Sequence, residues 1–299
     1  MVSLKHRAME WLVKRNPGDL LVRDLDELRA LRLRRQDEAG QAPPPGLAQR
    51  VDLSSYEHEG MAVHVLAPRG VPAERTVFFL HGGGYVGHAD PQHWRYAERL
   101  GAELSARVVM PAYPVAPRST WRDAHPLVAG LFREVADEGV GDLTLVGDSA
   151  GGGFALALAQ QMVAESGPLP DRLVLVSAWV DMTPPDASLP DDPWISRDYL
   201  ALCARLWAGD DPLTLPALSP LFSSFEGLPP ILVLCGTKDV QLPQARALVA
   251  AAQAVGTPVT YVEEPGLLHD YPILNIPEAR RALRQVAQFV RGESVKVAR

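Results

Sequence analysis

Gly147-Asp148-Ser149-Ala150-Gly151 sets a serine between two glycines, each two residues away. An apolar run, Leu143-Thr144-Leu145-Val146, leads into it. Gly152-Gly153 and the helix-compatible Phe154-Ala155-Leu156-Ala157-Leu158-Ala159 follow. This order predicts a strand, an abrupt turn and a helix, with the hydroxyl at the tip of the turn. A nucleophilic serine needs such a corner, because a turn that tight leaves no room for side chains on its flanks. The helix behind it points its N-terminal N–H groups at the place where negative charge develops during attack on a carbonyl.

A second glycine cluster, His81-Gly82-Gly83-Gly84-Tyr85, follows the apolar run Val77–Leu80. Serial glycines after a strand leave backbone N–H groups free to bind an oxyanion. The cluster lacks the Lys-Ser/Thr ending of a phosphate-binding loop and the spacing of a dinucleotide fingerprint. The expected oxyanion donors are the N–H groups of Gly82, Gly83 and Ala150. His81 and Gly84 shape the loop, and Gly147 and Gly151 permit the turn. Asp148 is expected to point away from the serine.

The base and acid of such a site belong past the C-terminal ends of strands. His269 follows the strand-like Val259–Val262, and Asp239 follows Ile231–Cys235. In that arrangement Ser149 attacks, His269 takes and returns its proton, and Asp239 orients the imidazole. Asp181 and Asp210 are rival acids that do not directly follow a strand. Among the rival histidines, His6 and His58 lie upstream, His64 sits within a strand, and His88, His93 and His125 fall before the elbow. None has the helical spacing of a zinc site, so neither metal nor cofactor is expected.

These motifs, with Tyr113-Pro114-Val115-Ala116-Pro117, Ser177-Ala178-Trp179-Val180-Asp181, Ser219-Pro220-Leu221 and Gly236-Thr237-Lys238-Asp239, resemble the hormone-sensitive-lipase branch of the α/β-hydrolases, in particular its bacterial carboxylesterases. The similarity runs from about Val77 to the C-terminal end. It implies that family's fold and an ester-hydrolysing triad in the chain order Ser, Asp, His. Two residues depart from the family pattern. Arg118 stands where an acidic residue is usual, and Asp270 stands where a bulky apolar residue usually follows the catalytic histidine.

The elements that must position these groups alternate from Val51 onward. Strands are predicted at Ala62–Ala67, Thr76–Leu80, Arg107–Met110, Leu143–Val146, Leu173–Ser177, Ile231–Cys235 and Val259–Val262. Helices are predicted at Pro91–Leu104, Asp123–Asp137, Leu242–Val255 and Pro277–Val290, besides the one after the elbow. The fold class is therefore α/β, a mostly parallel sheet covered on both faces, in a single domain spanning residues 1–299. Two helices precede it, broken at Asn16-Pro17-Gly18 and recapped by Asp19. The first shows Leu4, Ala8, Trp11 and Leu12 on one face. The second shows Leu21, Leu25, Leu28 and Leu31, with Arg29, Arg32, Arg34 and Arg35 beside them. Residues 1–45 and 182–215, the latter rich in proline, are expected to form a helical cap over the strand ends, with the apolar helix faces packed on the protein itself.

Composition narrows the functional classes. The 299 residues are 47% hydrophobic and carry a net charge of −7, which speaks against a nucleic-acid surface. The two cysteines, Cys203 and Cys235, suggest no disulfide framework. No segment resembles a signal-peptide core or a bilayer span, so a cytoplasmic location and no stable membrane insertion are expected. The resulting expectation is a cofactor-free serine carboxylesterase acting on small, short-to-medium acyl esters, lactones or acetyl esters, with a homodimer compatible with the sequence. The alternatives are an amidase or peptidase using the same triad, and a non-catalytic ligand-binding protein on a hydrolase scaffold.

Overall fold

Among the described residues, eight strands build one sheet, and those at its centre are short apolar runs rich in valine and leucine. The computed structural model describes residues 2–15, 22–38, 41–184 and 192–296. Its elements run α1 (Leu4–Arg15), α2 (Leu25–Glu38), β1 (Val51–His58), β2 (Met61–Pro68), β3 (Arg75–Leu80), α3 (Pro91–Leu104), β4 (Ala106–Pro111), α4 (Trp121–Asp137), β5 (Asp142–Asp148) and α5 (Ser149–Ala164). Then come β6 (Arg172–Val176), α6 (Arg197–Ala208), β7 (Ile231–Gly236), α7 (Leu242–Ala254), β8 (Val259–Glu264) and α8 (Pro277–Val290). The strand order is β1-β2-β4-β3-β5-β6-β7-β8. β2 runs antiparallel to both β1 and β4, and the remaining pairs are parallel.

Side chains alternate across the sheet and both faces are covered, which explains why the strands read as continuous apolar runs. Phe78, Leu80, Leu145, Leu175 and Val233 face a core shared with α4, α5 and α7. Val77, Phe79, Val146, Val174 and Leu232 face a second core shared with α3 and α8. Burying each such side chain contributes roughly 1.5–3 kcal/mol.

The periodicity names no strand over residues 51–58, yet β1 pairs with β2 along its whole length. Its interior, Asp52 to Glu57, is largely exposed, so an edge strand of this kind carries no apolar alternation to betray it. The two N-terminal helices divide. α2 meets the expectation, with Leu28 buried in the core and Leu25 and Leu31 packed against it. α1 corrects it, because Leu4, Trp11 and Leu12 are 81%, 55% and 52% exposed. The inward face of α1 instead sets Met9 against the second core and is otherwise polar. The Ser3 N–H and hydroxyl donate to Glu278, and Glu10 pairs with Lys238. Buried His6 accepts the Leu268 N–H through Nε2. The expected break at Asn16-Pro17-Gly18, Asp19, Leu21, Pro185 and Pro190 lie outside the described residues.

Candidate active site

The register of the parallel strands brings the two glycine clusters side by side. Leu80, the last residue of β3, pairs with Gly147 of β5, so residues 81–84 and Ser149 leave the sheet together. The chain turns from strand to helix at Ser149, whose φ of 50° lies in the left-handed region. Gly147 and Gly151 are required by contact. A Cβ would stand 2.2 Å from the Gly151 carbonyl oxygen at the first position and 2.0 Å from that of Leu80 at the second. The bare Gly147 lets the first turn of α5 fold back on its own strand, and the bare Gly151 lets the elbow press against the end of β3.

Past the C-terminal ends of β7 and β8, Asp239 and His269 reach the same point. His269 Nδ1 lies 2.8 Å from Asp239 Oδ1, and His269 Nε2 lies 2.9 Å from Ser149 Oγ. All three residues are buried. The Gln241 N–H also donates to Asp239 Oδ1, fixing the carboxylate that holds the ring. Burial alone would depress the imidazole, but the charges of Asp239 and Asp270 outweigh it and hold His269 well above the ordinary histidine range. The rival acids are elsewhere: Asp210 is exposed after α6, and Asp181 Oδ1 accepts the N–H of its own neighbour Thr183.

The oxyanion expectation needs one correction. The Gly82 N–H is not open to a ligand, because it donates to Asp148 Oδ2 at 3.1 Å. The same oxygen lies 3.1 Å from His93 Nε2. His93 Nδ1 accepts the Asp90 N–H in a capping box at the start of α3, which leaves Nε2–H to donate to Asp148. Asp148 thus clamps Gly82 against His93 of α3. Gly83 and Gly84, rather than Gly82, line the cavity in front of Ser149. His81 stacks on Tyr113 at 4.4 Å, and its Nδ1 lies 2.7 Å from the Gly82 carbonyl oxygen. Burial pushes this imidazole down to about 3, so it stays neutral. Ala150 is buried at the first turn of α5, where backbone N–H groups have no intrahelical acceptor.

Two acidic residues join the site. Asp192, between the sheet and α6, brings an oxygen within 4.8 Å of ligand-type atoms of Asp239 and His269. A metal would find these atoms engaged, since Asp192 accepts the Val240 and Trp194 N–H groups and Asp239 holds the imidazole. Burial, reinforced by the nearby Asp239 charge, raises the Asp192 carboxyl to about 6. Its place in the proline-rich segment gives no local signal of this role. Asp270, one of the two departures, lies against His269. The other, Arg118, forms an exposed ion pair with Asp37 of α2 and is not among the residues lining the cavity.

The cavity above Ser149 has a volume of about 550 Å³, within the range of small-molecule sites. Its far wall comes from α2 and the segment leading into α6, with Arg32, Arg35, Trp194, Tyr199 and Leu200. Arg32 hydrogen-bonds the Tyr199 hydroxyl across that wall. A larger cleft of about 640 Å³ between α4 and α5 contains no triad residue.

Residues 77–273 match a family model described as the α/β hydrolase fold, a stretch that holds both glycine clusters, Asp239 and His269. The chain belongs to the α/β-hydrolase family. The chain is 33% identical over 241 residues to a triacylglycerol lipase of Mycobacterium tuberculosis, covering 79% of this chain and 51% of that one. It is 35% identical over 240 residues to an acetyl-hydrolase of Streptomyces hygroscopicus, covering 74% and 78%. The chain therefore spans about half the length of the mycobacterial relative. The fold is shared with a solved hormone-sensitive lipase from a metagenome library, at a TM-score of 0.83 and 24% identity over 98% of this chain and 99% of that one. Among the described residues, no helix is long and apolar enough to cross a membrane.

Proposed function

We propose that this hydrolase is a serine carboxylesterase that cleaves short-to-medium acyl esters through an acyl-enzyme. The observation that carries the reading is the hydrogen-bonded relay Asp239–His269–Ser149 opening into the capped cavity. Neutral His269 accepts the proton of Ser149 Oγ as the oxygen attacks the ester carbonyl. The imidazolium, held by Asp239, returns that proton to the leaving alkoxide, and water then repeats the cycle on the acyl-enzyme. The N–H groups of Gly83, Gly84 and Ala150 bind the oxyanion, and losing one such donor costs about 3 kcal/mol of transition-state stabilisation. The relatives named as a triacylglycerol lipase and an acetyl-hydrolase support this reaction class.

A fluorophosphonate probe tests the reading together with Ser149→Ala. The wild type is expected to be labelled stoichiometrically at Ser149 and to hydrolyse p-nitrophenyl butyrate. Ser149→Ala is expected to keep its thermal midpoint and lose labelling. A folded variant retaining more than about a hundredth of wild-type turnover would contradict the assignment, since loss of a triad serine normally costs far more.

A further inference from the structure

His269 Nε2 has two partners. Ser149 Oγ lies 2.9 Å away, and Asp270 Oδ2 lies 3.1 Å away. One ring nitrogen cannot satisfy both at once. To accept the serine hydroxyl, Nε2 must carry a lone pair. To bond the Asp270 carboxylate, it must carry a proton. Asp270 is held in place to make this contact: its φ is 53°, its N–H donates to Ser177 Oγ at 3.0 Å, and its side chain is buried at the cavity floor. Its second oxygen, Oδ1, is buried with no hydrogen-bond partner among the described residues.

We propose that Asp270 is a positioning residue that competes with Ser149 for His269 Nε2 and thereby sets the pH at which the base becomes available. The proposal rests on the triad reading above. In the resting state the ring carries protons on both nitrogens, Nδ1–H toward Asp239 and Nε2–H toward Asp270. The Nε2 proton must pass to water in the cavity, which both residues line, before the nitrogen can accept from Ser149. During attack, Oγ forms its bond to the carbonyl carbon, the carbonyl π pair moves to oxygen, and the Oγ proton moves to Nε2. The imidazolium so formed again lies between two carboxylates. Asp270 therefore suppresses the reaction at low pH and assists it once the base is free.

The surroundings favour this balance. The charged and titratable groups around the pair are Asp239 after β7, Asp192 before α6, Asp148 at the end of β5 with its partner His93 on α3, Tyr96 on α3 and Cys235 of β7. Three carboxylates, Asp192, Asp239 and Asp270, share one imidazole, so the ring is held cationic while the less firmly bonded acids resist ionisation. Burial, despite the facing imidazole, raises the Asp270 carboxyl to about 7, so its charge grips Nε2–H most firmly between that value and the higher midpoint of the ring. The esterases this sequence resembles place a bulky apolar residue here, which would leave Nε2 to the serine alone.

The experiment is a pH profile of kcat/KM on p-nitrophenyl butyrate, paired with an NMR titration of the His269 ring, for wild type, Asp270→Asn and Asp270→Leu. Asparagine tolerates the left-handed backbone and removes only the charge. Leucine restores the apolar pattern. The wild-type midpoint is expected above the ordinary histidine value of about 6.5, and both variants are expected to lower it by about one unit or more. Below the midpoint the variants then outpace the wild type, whereas on the alkaline plateau they are slower, so the profiles cross. Midpoints unmoved in both folded variants would overturn the proposal. If the wild type hydrolyses no ester but Asp270→Asn still lowers the ring's midpoint, the contact stands and the esterase reading fails.

Discussion

Asp239 presents one carboxylate oxygen to both the Gln241 N–H and the His269 ring, while its other oxygen is buried without a hydrogen-bond partner among the described residues. Its negative charge, rather than its shape, is what the ring requires. Asp239→Asn is expected to lower kcat on p-nitrophenyl butyrate by about four orders of magnitude, because a neutral amide favours the wrong tautomer and no longer stabilises the imidazolium. Asp192 shares a buried cluster with Asp239 and the ring. Residual turnover in Asp239→Asn should therefore vanish on adding Asp192→Asn. A single variant with near-normal kcat would remove Asp239 from the acid's position.

At the scale of elements, α1 acts on the site without touching the triad. His6 accepts the N–H of Leu268, the residue before His269, at 3.3 Å. Burial lowers the His6 pKa despite the nearby Glu278 and Glu10 charges, so the ring is neutral and able to accept. His6→Ala leaves a buried N–H unpaired, an expected loss of about 1–3 kcal/mol read by chemical denaturation, with kcat reduced as well. Because the folded pKa is depressed, the unfolded chain binds the extra proton. The contribution of His6 is full above the unfolded histidine value of about 6.5 and drains as pH falls through the folded pKa. The His6→Ala variant should therefore lose less stability on acidification than the wild type. A variant as stable as the wild type at pH 8 would show the contact to be idle. None of this was legible in the sequence, because α1 docks through His6, Met9 and Glu10, with Ser3 just before it, while its leucines and tryptophan face water. Hydrophobic periodicity correctly identified a helix there and mistook its inward side. By contrast, Ser149 was legible because its glycines act within a few residues. Asp239 and His269 were legible because ligand-bearing loops follow strand ends. The Gly82–Asp148 contact spans 66 positions, and no local pattern encodes it.

At the scale of the whole molecule, α2 and α6 close over the strand ends and give the cavity a finite volume of about 550 Å³, with arginines in its wall. Each buried methylene adds up to about 0.8 kcal/mol of binding until the wall is met. The expected profile is hydrolysis of p-nitrophenyl acetate through octanoate, falling steeply for palmitate, with no rate jump at an oil–water interface. Preference for palmitate, or activation by emulsified triglyceride, would instead make the exposed Leu4, Trp11 and Leu12 a docking surface for lipid. The seat of α1 also bears on the order in which the protein is made. His6 and its partner Leu268 are separated by 262 positions, so a ribosome adding about 5–20 residues per second needs roughly 13–50 seconds to go from one to the other. For most of that interval the first helix has been synthesised, while Lys238 comes late and Leu268 and Glu278 only at its end or after it. The nascent chain must carry α1 undocked until the loop holding His269 emerges, so the relay and its N-terminal brace are completed in the same late step of synthesis.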